Sequence, residues 1–137
     1  MEETFCSHSP SQTEAYGRQL AAELHGGSVV AMFGGMGMGK TALVRGIAEG
    51  LGLSAEVSSP TFALVHDYGG CPPLVHFDMY RVNGWEDLYS TGFLDYLDAG
   101  AILAVEWSEH IENALPPDAI RLYFTRVDEN TRLIERG

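Results

Sequence analysis

Eight consecutive residues constrain this chain more than any others: Gly34-Gly35-Met36-Gly37-Met38-Gly39-Lys40-Thr41. They fit the pattern G-x-x-x-x-G-K-[ST]. Before them runs Ser28 to Phe33 (SVVAMF), short and almost wholly apolar, as suits a strand buried on both faces. After them Leu43, Val44, Ile47, Ala48 and Leu51 recur at helical spacing. Glycines at these places let successive N–H groups converge on one phosphate, where a Cβ would block the approach. A helix starting near Gly39 adds its positive N-terminal end. Lys40 can then reach the β- and γ-phosphates of a nucleotide, and the Thr41 hydroxyl can ligate Mg2+. The expected nucleotide-binding set is therefore Gly35, Met36, Gly37, Met38, Gly39, Lys40 and Thr41, with the backbone rather than the methionine side chains carrying the contact.

Charge sharpens that expectation. The chain holds 19 Asp and Glu against 8 Lys and Arg, a formal charge of −11, and Lys40 is its only lysine. An acidic chain has thus placed its one ammonium where triphosphate charge would sit. The same balance argues against gripping RNA or DNA unaided, because nucleic-acid binders need cations to displace phosphate counterions. Its 137 residues predict a single domain, 1–137, and an apolar share of 45% with 20% charged residues reads as globular. The acidic start Met1-Glu2-Glu3-Thr4 does not read as a signal peptide, and no apolar run approaches the roughly 20 residues that cross a bilayer. Cys6 and Cys71 lack a Cys-x-x-Cys partner, so reduced thiols and a cytoplasmic address are expected.

Local signals give an interleaved order of strands and helices. Ser9-Pro10-Ser11-Gln12 reads as a helix start, with Ser9 as N-cap, Pro10 in the first turn and Gln12 closing a capping box. Tyr16, Leu20, Ala21 and Leu24 then keep helical spacing until Gly26-Gly27. Phe62 to Tyr68 and Leu74 to Asp78 predict a hairpin around Gly69-Gly70-Cys71-Pro72-Pro73. Residues 84–98 predict helix broken near Gly92, and Ala101 to Val105, Ile120 to Phe124 and Arg132 to Glu135 predict strands. The class is α/β: a P-loop-like, mainly parallel sheet flanked by helices, with one antiparallel hairpin.

A metal at Thr41 needs a carboxylate nearby, and open α/β sheets gather ligands at the carboxyl ends of their strands. Glu106 follows the apolar Ile102-Leu103-Ala104-Val105, and Asp78 follows Leu74-Val75-His76-Phe77. One would hold the Mg2+ water shell and the other orient the attacking water; the residues alone leave the assignment open. His76 shares a strand face with Asp78 and reads as a buried, hydrogen-bonded histidine rather than a base. Trp107, beside Glu106, suits stacking or half-buried packing.

The loop by itself admits an ATPase, a GTPase, a small-molecule kinase or a non-hydrolysing nucleotide-binding module. No Asn-Lys-x-Asp is present to read guanine, and residues 83–100 hold Glu86, Asp87, Asp95 and Asp98 but no arginine for a kinase lid. Further blocks narrow the choice: Ser59-Pro60-Thr61-Phe62 followed by Leu64-Val65, His76-Phe77-Asp78-Met79-Tyr80-Arg81, Gly92-Phe93-Leu94-Asp95-Tyr96, and Val105-Glu106-Trp107-Ser108-Glu109. With the phosphate loop, in this order and spacing, the chain resembles the TsaE family over residues 9–135. That resemblance implies a P-loop α/β fold and a weak, Mg2+-dependent ATPase. It also implies work alongside the TsaB–TsaD pair, which transfers threonylcarbamoyl to the adenosine next to the anticodon of ANN-decoding tRNAs. Carried over by position, Lys40 binds phosphates, Thr41 and Glu106 hold Mg2+, Thr61 and Asp78 serve as switch and water-positioning residues, and Arg132 approaches the nucleotide. The chain departs from the family pattern at Gly35 and Met38, neither of which removes a backbone N–H from the loop, and its tail is short.

Overall fold

A computed structural model describes residues 3–34, 39–53 and 65–137. The elements follow in the order β1 (Glu3–Ser7), α1 (Pro10–Ala21), β2 (Val29–Phe33), α2 (Lys40–Gly50), β3 (Val65–Gly70), β4 (Pro73–Asp78), α3 (Trp85–Thr91), α4 (Phe93–Asp98), β5 (Ile102–Glu106), a 3-10 segment (Ser108–Ala114), β6 (Ile120–Arg126) and β7 (Arg132–Arg136). The strands form one sheet in the order β1-β7-β6-β2-β5-β4-β3. Its centre, β6-β2-β5-β4, is parallel throughout. Antiparallel strands extend both ends, so the expected β3–β4 hairpin is joined by antiparallel β6–β7 and β7–β1 pairings.

Period-two alternation divides the sheet between two cores. Val30, Met32, Leu74, Ile102, Ala104 and Leu122 face α1 and α2. Val29, Ala31, Val75, Phe77, Leu103 and Val105 face α3, α4 and the 3-10 segment. Strands β2 and β5 are therefore buried along their whole length, which is why both read as unbroken apolar runs.

Helix α1 starts as its residues dictate. The Ser9 side chain accepts from the Gln12 amide at 3.2 Å, while Gln12 Oε1 reaches one residue further back than a standard capping box and takes the His8 amide at 2.7 Å. The helix stops at Ala21, before the glycine pair, although Leu24 still packs on the core. Gly92 lies in the left-handed region at φ 80° and separates α3 from α4, as the sequence predicts. Cys6 and Cys71 are free thiols. No helix among the described residues is long and apolar enough to cross a membrane.

Close approach of α1 and α2 depends on glycine. A Cβ at Gly46 would collide with the Glu14 carbonyl oxygen, and one at Gly17 with the Leu43 carbonyl oxygen. Backbone cannot yield as a flexible side chain can. Alanine in an exposed helix normally gains about 0.8–1 kcal/mol over glycine, so the sign of the effect is diagnostic. We expect Gly46→Ala to cost about 1–3 kcal/mol by forcing the helices apart, read as a lower urea midpoint with the same slope. A rise in the midpoint would contradict this packing.

Candidate nucleotide site

Strand β2 ends at Phe33, and α2 begins at Lys40; residues 35–38 between them, including Gly35, Met36, Gly37 and Met38, lie outside the described residues. The flanks are defined. Gly39 caps α2 at φ 89°, a left-handed backbone that side chains rarely tolerate. Gly39 offers no side-chain cap to the α2 N-terminus, a helix start of the kind that suits an anion. Thr41 stands in that first turn, half-buried.

Lys40 is buried. Its Nζ donates to the Gly34 carbonyl oxygen at 2.6 Å and lies 4.8 Å from the centroid of the Trp107 ring. Burial holds its pKa below the ordinary lysine value, and the carboxylates of Glu106, Glu109 and Asp78 pull the other way. One ammonium is thus ringed by three acids, two of which, Asp78 and Glu106, the sequence singles out.

The sheet explains how these two meet. Strand β5 is the neighbour of β2, β4 is the neighbour of β5, and Asp78 pairs with Glu106 in register. Both therefore stand at the carboxyl ends of adjacent parallel strands, on the face that also carries α2. His76, on the same face of β4, is fully buried and donates from Nε2 to Glu106 Oε2 at 2.6 Å. Its role as a hydrogen-bonded core histidine is as the sequence suggests, but its partner is the candidate metal ligand itself. The other ring nitrogen, Nδ1, is buried and has no partner among the described residues. Asp78 Oδ1 accepts the Tyr80 amide at 2.9 Å, which fixes the carboxylate at the strand end.

Two contributors go beyond what the sequence assigns: Trp107 reads there only as stacking or half-buried packing, and Glu109 has no role. Trp107 adopts φ 58°, the only positive φ outside glycine among the described residues. Such backbone costs of order 1–3 kcal/mol. It turns the chain sharply out of β5, laying the indole over Lys40 and against Tyr80, with ring centroids 4.8 Å apart. The same turn starts the 3-10 segment and returns Glu109 to the loop, where its Oε2 accepts the Gly34 amide at 3.1 Å. An acid three residues beyond Glu106 was the available signal, with no periodicity to say where it pointed.

Arg132 begins β7 opposite Arg126 at the end of β6, hence at the carboxyl end of the parallel strands but two strands away from β2. Its Nη1 donates to the Asp128, Glu129 and Thr131 carbonyl oxygens, bracing the β6–β7 turn. Thr61 lies outside the described residues.

The family model for the threonylcarbamoyl adenosine biosynthesis protein TsaE matches residues 7–134. The chain belongs to the TsaE family. It is 34% identical to the tRNA threonylcarbamoyladenosine biosynthesis protein TsaE of Bacillus subtilis over 92% of this chain and 79% of that one. The Streptomyces coelicolor TsaE is 42% identical over 84% of this chain and 80% of its own. The crystal structure of Bacillus subtilis YdiB has the same fold, with a TM-score of 0.82 and 28% identity, covering 99% of this chain and 84% of that one. The family drawn from the loop, the His76–Arg81 block and the Val105–Glu109 block is thus the one the comparisons show.

Proposed function

We propose that this TsaE-family chain is a single-domain, cytoplasmic ATPase that works beside a TsaB–TsaD-type pair, supporting threonylcarbamoyl transfer to the adenosine next to the anticodon of ANN-decoding tRNAs. The observation that carries the catalytic part is the buried Lys40 ammonium, held to the Gly34 carbonyl and faced by Asp78, Glu106 and Glu109. The names of the relatives support the tRNA-modification part.

The residues present suit a metal–nucleotide pair better than a bare anion. Three carboxylates against one ammonium would repel a triphosphate arriving alone. A divalent ion reverses that balance, and Mg2+ when bound supplies positive charge to phosphate oxygens that grow more negative during transfer. Thr41 and Glu106 would hold it. His76 ties down Glu106 Oε2 and so fixes the orientation of the carboxylate. Lys40 and the α2 amides would bind phosphates together with the loop at 35–39. Asp78 would orient water, with Thr61 as the switch residue, and Arg132 would approach the nucleotide from the β6–β7 turn. The net charge of −11 leaves tRNA to the partners.

Phosphate release from ATP, measured with and without the TsaB–TsaD pair, tests this reading. Slow release alone and faster release with the pair is expected. Label moving from ATP to an added small acceptor would indicate a kinase instead, and binding without turnover under either condition would indicate a regulatory module.

A further inference from the structure

The 3-10 segment that carries Glu109 to the phosphate loop has a second side. Between it and the start of α3 lies a cavity of about 250 Å³, whose walls mix Trp85, Leu88 and Ile111 with the polar Glu109, Glu112 and Asn113. Beside it Trp85 and Tyr89 stand 53% and 62% exposed, their ring centroids 6.2 Å apart. Two large rings side by side in water, next to a partly apolar recess, is an arrangement typical of interface anchors rather than of a free surface. Neither ring belongs to the nucleotide site.

Charge narrows the occupant. Residues 82–120 contain eight carboxylates and neither lysine nor arginine. Glu86 and Asp87 on α3, and Glu109 and Glu112 on the 3-10 segment, are exposed around the recess. Such a rim repels nucleic acid and anionic headgroups and attracts a basic protein surface. A second copy of this chain, with a formal charge of −11, would bring the same acidic rim and is poorly suited to supply one.

We propose that the recess between α3 and the 3-10 segment, with Trp85 and Tyr89 at its edge, docks a different protein through an apolar side chain ringed by lysine or arginine. This rests on the functional reading above only for the choice of partner, the TsaB–TsaD pair. The site is continuous with the phosphate loop. Glu109 lies in the recess wall and holds the Gly34 amide, while His110 Nδ1 bonds the Met79 carbonyl oxygen at 2.9 Å, just beyond Asp78. Docking there would be felt at the nucleotide.

Titration of the TsaB–TsaD pair with the unsubstituted chain, Trp85→Ala, Tyr89→Ala and Glu112→Arg tests the site. The aromatic variants should each bind about tenfold more weakly or worse. Glu112→Arg should bind more weakly and lose part of the salt dependence. All three should keep basal ATP binding and hydrolysis, while partner-stimulated turnover falls with affinity. Unchanged affinity in both aromatic variants would overturn the docking site and leave the partner reading intact. No complex with the unsubstituted chain would overturn both. Sedimentation showing a self-associated chain that Trp85→Ala disperses would overturn the proposal in favour of a second copy.

Discussion

Lys40→Ala is expected to abolish ATP hydrolysis and to weaken ATP binding by about two orders of magnitude. Lys40 is the only lysine of the chain. Two effects combine. A charge-assisted donor to the phosphates disappears, and removing one such preorganised group typically costs about 10²–10³ in rate. Asp78, Glu106 and Glu109 also remain without the ammonium they face. Lys40→Arg separates these effects. It restores charge, but a planar guanidinium cannot reproduce one Nζ held to Gly34 O under the Trp107 ring. Binding should return in part and hydrolysis should not. Phosphate release and calorimetry on both variants check this, and retained hydrolysis in Lys40→Ala would defeat the assignment.

Glu106→Ala should leave ATP bound but uncleaved, with turnover lower by at least about a hundredfold, because the metal loses its carboxylate while the phosphate-binding amides and Lys40 stay. This variant carries a second cost. His76 Nε2, fully buried, loses the Glu106 acceptor, and an orphaned buried donor costs about 1–3 kcal/mol. Glu106→Gln distinguishes chemistry from folding. Its amide oxygen can still accept from His76, so stability should be largely restored, while the missing negative charge keeps hydrolysis low. A Gln variant that folds like the parent and still turns over at the parent's rate would remove Glu106 from the proposed metal site.

Strongly patterned segments of the fold were legible in advance. The strand SVVAMF and the strand ending at Glu106 are buried on both faces, so composition alone marked them. Ser9 and Gly92 acted through local backbone chemistry that needs no tertiary context. Strand β1 was not visible, because Glu3–Ser7 has no clear alternation and becomes a strand only by pairing with β7, far along the chain. That pairing also explains the additional antiparallel edge. At the site, Lys40, Asp78 and Glu106 could be named because each follows a pattern tied to position at an element's end. Glu109 could not, and Trp107 could be named only for stacking or packing, not for its place over Lys40. Their placement depends on one left-handed residue and a 3-10 turn, and neither leaves a periodic trace. The same holds for the short bond between His76 and Glu106, which required knowing that β4 and β5 are neighbours.

One titration bears most directly on the central claim that the amides around Gly34–Thr41 and the lone ammonium hold a metal-bound triphosphate. ATP should be taken up by the unsubstituted chain at about one per chain in the presence of Mg2+, weakly after chelation of the metal, and hardly at all by Lys40→Ala. Heat of binding that is absent with Mg2+, both alone and with the TsaB–TsaD pair present, would contradict it.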